Sequence, residues 1–234
     1  MKLSIVIPVF NEKHSLKELL RRVETVDLGV VEKEIIIVDD CSTDGTTQWL
    51  KELENPKYKT IYHSKNQGKG AALRSGFALA SGDIIIVQDA DLEYNPAEYP
   101  QLIAPIVAGD ADVVYGSRLV TALPHRVLYF YHYLGNKWLT FLSNLFTGLN
   151  LSDMETCYKA FSRQALQAIL PRLRAKRFGI EPELTAQVAK HQLRVYEIGI
   201  SYHGRTYKEG KKINWKDGLA AIWHIVRFNL FTRK

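Results

Sequence analysis

Apolar runs broken by clusters of acids set the rhythm of this chain. The clearest is Ile84-Ile85-Ile86-Val87, a short β-branched run that reads as a strand buried on both faces. It ends abruptly in Gln88-Asp89-Ala90-Asp91. Residues 3–7 and 34–38 give two similar runs, closed by Pro8-Val9-Phe10-Asn11-Glu12 and by Asp39-Asp40-Cys41-Ser42-Thr43-Asp44-Gly45-Thr46. Between them Leu16, Leu19, Leu20 and Val23 recur at helical spacing, and Trp49, Leu50 and Leu53 do so after the second. A weaker strand at 60–63 leads into a helix opened by Asn66-Gln67-Gly68-Lys69-Gly70 and stopped near Gly82. The alternation predicts a doubly wound, mostly parallel α/β sheet.

Beyond it the pattern predicts strands at 111–115 and 195–202, a return to the sheet over 153–161, and helices near 163–170, 181–191 and 215–230. Residues 127–151 have a different texture, rich in Leu, Phe, Tyr and Trp, with Arg126 just before them and Lys137 inside. Core packing is the default expectation there, with a membrane-surface patch as its competitor.

Composition adds bounds. At 234 residues with 46% hydrophobic and 24% charged content, one α/β domain with an appendage is expected. Two cysteines give neither a disulfide framework nor metal-ligand spacing, which fits a reducing, intracellular setting. No run approaches the ~20 apolar residues of a transmembrane helix. Residues 203–234 hold eight Lys or Arg against two acids, which equals the whole net charge of +6. A basic tail on a neutral body suggests an anionic partner, although no nucleic-acid motif accompanies it.

Carboxylates at the C-terminal ends of parallel strands emerge where open α/β sheets bind ligands, and such oxygens suit Mg²⁺ or Mn²⁺ held jointly with phosphates. Asp39 is placed to accept hydrogen bonds from a nucleoside, and Gly68-Lys69-Gly70 to offer N–H groups and charge to phosphates. The spacing is not that of a P-loop, and no GxGxxG follows the first strand.

The motifs 4–12, 38–46, 66–72 and Asp89-Ala90-Asp91 together resemble family-2 glycosyltransferases with a GT-A fold, having a nucleotide-sugar-binding half and an acceptor half. With Gly116-Ser117-Arg118, the chain is similar to the dolichyl-phosphate and polyprenyl-phosphate hexosyltransferases in particular. That resemblance implies a catalytic domain over 1–210, with an acceptor-facing or membrane-facing excursion at 119–152; the charge and spacing of residues 211–234 add a basic amphipathic helix after it. It implies inverting transfer of a hexose from a GDP-mannose or UDP-glucose type donor to a polyprenyl phosphate. The enzyme would be cytoplasmic, at the inner face of a membrane and in peripheral contact with it, with no nucleic-acid partner. Pro8, Val9, Glu12, Asp39, Lys69, Asp89, Ala90 and Asp91 would bind the donor. Asp89, Asp91 and Glu93 would hold the metal, and Arg118, Arg205 and Lys211 would hold phosphates, with Asp91, Arg118 and Arg205 closest to the chemistry. The alternatives are a soluble glycosyltransferase using a sugar or small-molecule acceptor, with Asp153 or Glu155 as base, and a non-catalytic nucleotide-sugar-binding subunit.

Overall fold

The computed structural model describes residues 1–53, 55–120, 126–127, 129–205 and 215–232. Its centre is a seven-stranded sheet in the order β3-β2-β1-β4-β6-β5-β7. The first half alternates β1 (Lys2–Val9), α1 (Leu16–Thr25), β2 (Glu32–Asp39), α2 (Thr46–Leu53), β3 (Tyr58–Tyr62), α3 (Lys69–Leu79) and β4 (Ile84–Val87). β1 pairs in parallel with both β2 and β4, and β2 with β3. Ile5, Ile7, Ile36, Ile37 and Ile86 are fully buried because helices cover both faces. Gly76 of α3 lets that helix close on β1, since a Cβ there would lie 2.3 Å from Val6 Cγ1.

The second half contains α4 (Tyr99–Val107), β5 (Val113–Ser117), α5 (Phe130–Thr147), β6 (Lys159–Ser162), α6 (Arg163–Ile169), α7 (Ile180–Lys190), β7 (Val195–Gly199) and α8 (Trp215–Leu230). Here the sheet becomes mixed: β6 runs antiparallel to both β4 and β5. The cause lies in the stretch between β5 and β6, whose two ends meet. Ser117 Oγ lies 2.5 Å from Ser152 Oγ, and Arg118 reaches Asp153. Both ends sit where β5 finishes, so the chain re-enters the sheet from that side and must run backwards. The strand expected over 153–161 is therefore shorter, and residues 152–158 form a loop at the C-terminal end of the parallel strands.

The aromatic segment is a helix with only Thr140 and Ser143 fully buried. Phe130, Tyr131, Trp138, Phe141 and Leu145 are exposed, so core packing does not account for its composition. No helix of the described residues is long and apolar enough to cross a membrane.

An acid clamp closes the opposite end of the first half. Glu34 accepts hydrogen bonds from Lys59 Nζ (2.6 Å), Ser81 Oγ (2.6 Å), Ser81 N (2.8 Å) and Ser4 Oγ. Burial alone would raise its pKa, but these donors outweigh it and hold the carboxyl at about 2. A depressed carboxylate stabilises the fold above its unfolded pKa near 4.5 and loses that contribution as pH falls through 2. Because Lys59 is half exposed, we expect roughly 1–2 kcal/mol after discounting for solvent screening. Glu34→Gln should flatten acid unfolding followed by circular dichroism between those pH values; an unchanged acid slope would rule the clamp out as its source.

Candidate functional site

The chain leaves β1 for β2 and β3 on one side, then crosses back through α3 to place β4 on the other. That reversal makes the gap between the ends of β1 and β4 a topological switch point, where open sheets take ligands. Three loops meet there. Val9 is in register with Asp39, and Gln88 N donates to Val6 O, so 10–15, 39–46 and 88–95 project from neighbouring strands.

Arg205 ties them together. Its guanidinium donates to Glu12 Oε2 (2.9 Å) and to the carbonyl of Asp91 (2.6 and 2.9 Å), while its N–H donates to Glu93 Oε1 (2.6 Å). Glu93 also accepts from the Tyr202 hydroxyl at 2.7 Å. Both Glu93 oxygens are thus taken by protein donors, and no group of three candidate metal ligands stands together among the described residues. Asp89 forms an ion pair with Lys69 at 2.9 Å, and Lys69 reaches on to Glu181 at 3.2 Å.

Asp91 is left with little compensation. Burial first, then Asp89 and Glu93, push its carboxyl up to about 7. Lys69 answers Asp89 and Glu181, and the Arg205 side chain answers Glu12. Surplus negative charge on hard oxygens fits a divalent cation, which Asp91 and Asp89 would hold jointly with a diphosphate.

The other expected residues are placed as follows. Pro8 is half-buried, and Val9 and Ala90 are buried in the walls of the gap. Asp39 is buried, with one oxygen accepting from Ser42 Oγ (2.6 Å) and the other from Thr47 Oγ1, so in this structure it organises its own turn. The start of α3 does not offer all its N–H groups: Gln67 N and Gly68 N donate to the Asp40 carboxylate, and Ala71 N to the carbonyl of Lys176. Gly68 is required there, since it sits at φ 93° and a Cβ would lie 2.5 Å from Lys176 O. Arg118 is not a free phosphate ligand. It makes a two-pronged ion pair with fully buried Asp153, both contacts at 2.7 Å, beneath the Tyr202 ring. Lys211 lies outside the described residues.

Glu181, which the sequence did not bring into the site, pairs with fully buried Lys159 at 2.7 Å. A lysine inside an apolar strand was the available signal, because a buried ammonium demands an acid.

The family model for glycosyl transferase family 2 matches residues 4–170. This chain belongs to that family. Its fold superposes on glucosyl-3-phosphoglycerate synthase of Mycobacterium tuberculosis solved with Mn²⁺, UDP and phosphoglyceric acid, with a TM-score of 0.75 at 19% identity, over 100% of this chain and 80% of that one. The same enzyme with Mn²⁺ and UDP-glucose superposes at 0.72. The α/β GT-A architecture therefore stands, and the expected Mg²⁺ or Mn²⁺ has its counterpart in the Mn²⁺ with which those relatives were solved. Among curated proteins, undecaprenyl-phosphate mannosyltransferase of Micrococcus luteus is 29% identical, covering 100% of this chain and 96% of its own length.

These superpositions correct the subgroup expectation. The superpositions that span this chain are on an enzyme solved with a small phosphorylated acid rather than with a dolichyl-phosphate or polyprenyl-phosphate acceptor. The sequence likeness to a polyprenyl-phosphate enzyme remains at 29%. With the polyprenyl-phosphate acceptor fall the peripheral membrane contact and the location at a membrane face, which had been inferred from it.

Proposed function

We propose that this glycosyltransferase moves a hexose from a UDP-sugar to a hydroxyl of a small phosphorylated acid. The observation that carries the reading is superposition of the whole chain on an enzyme solved with UDP, Mn²⁺ and phosphoglyceric acid, with the acid-rich switch point in the ligand gap. Asp91 and Asp89 would hold the divalent ion, which when bound neutralises the departing diphosphate. Arg205 fixes the Asp91 turn against Glu12, so the carboxylate keeps its aim without a substrate present. Pro8, Val9 and Asp39 line the nucleoside end, and Lys69 brings positive charge beside Asp89.

The charge that receives the acceptor's phosphate would come from Lys176 and Arg177. Both are exposed, and the Arg177 stem lies over Gly68, where a Cβ would be 2.6 Å from its Cγ. The buried cations Arg118 and Lys159 are committed to carboxylates.

The test is calorimetric binding of UDP and GDP with and without Mn²⁺, followed by transfer from UDP-glucose and other UDP-sugars to phosphoglyceric acid and related phosphorylated acids. UDP binding that requires Mn²⁺, with a glycosylated acid detected by mass, is expected. Absence of nucleotide affinity under both conditions would remove the reading.

A further inference from the structure

A hydroxyl acceptor must lose a proton as it attacks, and the enzyme needs a carboxylate or imidazole placed to take it. This inference rests on the acceptor class just proposed. Around the crevice most carboxylates are engaged: Asp89 with Lys69, Glu181 with Lys159 and Lys69, Glu93 with Tyr202 and Arg205, Glu12 with Arg205 and Ser15. Asp153, one of the two base candidates from sequence, is fully buried under Arg118, which together with hydrogen bonding outweighs burial and lowers its pKa.

Glu155 differs. The residue is half-buried, yet its Oε1 is shielded from solvent and has no hydrogen-bond partner, and the hydroxyl of adjacent, fully buried Thr156 is also unpartnered. Two neighbouring orphaned polar atoms on one loop are costly unless a ligand completes them. The loop itself is held firmly. Ser152 N donates to Glu197, Met154 N to Thr140 Oγ1 and Cys157 N to the Tyr94 hydroxyl. Glu155 stands two residues from Asp153, which holds Arg118, and two from buried Cys157, which has the Asp89 carboxylate in its surroundings. It therefore lies between the Arg118–Asp153 pair and the Lys159–Glu181 pair.

We propose that Glu155 is the catalytic base, receiving the acceptor's hydroxyl proton as that oxygen attacks the anomeric carbon of the donor. The new bond joins acceptor oxygen to C1, and the bond from C1 to the diphosphate oxygen breaks. The diphosphate leaves with that electron pair, and the proton rests on Glu155 before passing to water at its exposed edge. The Thr156 hydroxyl positions the acceptor. Attack opposite the leaving group inverts the anomeric configuration.

The charged groups facing Glu155 are Glu181 on α7, Lys159 on β6, Arg118 after β5 and Asp153 on its own loop. Burial first and Glu181 next raise its carboxyl to about 7, with Lys159 and Arg118 opposing. That is a suitable strength for a base working near neutrality.

Glu155→Gln should lower kcat by about 10²–10⁴-fold, leave KM for the donor and Mn²⁺-dependent UDP affinity unchanged, and abolish an acid limb of kcat centred near 7 in the unaltered enzyme. Thermal unfolding of the variant above neutral pH should occur at no lower temperature, which separates chemistry from folding. NMR of the product should show inversion. Turnover by Glu155→Gln equal to the unaltered enzyme, or retention of configuration, overturns the base assignment and leaves the proposed function standing. No glycosylated product from the unaltered enzyme with any phosphorylated acid overturns both.

Discussion

Asp91→Asn is expected to reduce transfer by about 10³-fold, since the ion proposed to be held there would supply several kcal/mol of leaving-group stabilisation. The same variant should be more stable than the unaltered protein when no metal is present. Burial, Asp89 and Glu93 raise the Asp91 carboxyl to about 7. An acid raised in this way keeps its full contribution to stability below its unfolded pKa of 3.8 and loses it as pH rises through 7. Above neutrality the folded protein therefore holds an ionised carboxylate that it would favour protonated, and Asn removes that penalty. Thermal melts at pH 8 should give a higher Tm for Asp91→Asn without Mn²⁺, and a smaller Mn²⁺-dependent rise with UDP. A variant that melts lower without metal, or responds to Mn²⁺ and UDP like the unaltered enzyme, would place the ion elsewhere.

The feature behind that prediction was readable before any coordinates. Ile84–Val87 followed by Asp89-Ala90-Asp91 is a local pattern, since contiguous β-branched residues define a buried strand and the acids mark where it surfaces. The same holds for Pro8–Glu12 and Asp39–Asp44, so the strand ends that build the crevice were visible. What could not be read was which charge answers which. Arg205 meets Glu12 across 193 residues, and Arg118 meets Asp153 across 35. Both arginines follow strand ends, and sequence spacing alone gives each the same phosphate-binding role. Burial and topology separate them, one bracing the Asp91 turn and the other neutralised inside the 152–158 loop.

The reversed strand was hidden for a related reason. Nothing in Lys159-Ala160-Phe161-Ser162 encodes direction; the meeting of Ser117 with Ser152 does. That reversal brings Asp153, Glu155 and Cys157 to the ligand end of the sheet, turning a stretch expected to be strand into a wall of the site. The acceptor, in turn, depends on the shape and charge of that wall. The donor-side motifs with Gly116-Ser117-Arg118 led to the expectation of a polyprenyl phosphate, whereas the small phosphorylated acid is proposed from the whole-chain superposition.

Arg118→Met separates the two possible uses of that arginine. Asp153 is fully buried and receives the Arg118 backbone N–H (3.0 Å), Nε and a terminal guanidinium nitrogen, both at 2.7 Å. Removing the guanidinium strands a buried carboxylate, which costs about 3–5 kcal/mol. Burying the pair also has a desolvation cost, so replacing both partners by apolar side chains should recover most of that loss. The expected result is therefore a large drop in urea midpoint for Arg118→Met, and a double variant Arg118→Met/Asp153→Leu much closer to the unaltered protein. The coupling energy from that double-mutant cycle should be at least about 2 kcal/mol. If Arg118 served substrate phosphate instead, Arg118→Met would keep its urea midpoint and raise KM. The loop that Asp153 anchors also carries Glu155, so the double variant should fold well yet turn over slowly, because the pair holds the 152–158 wall in register with Asp89.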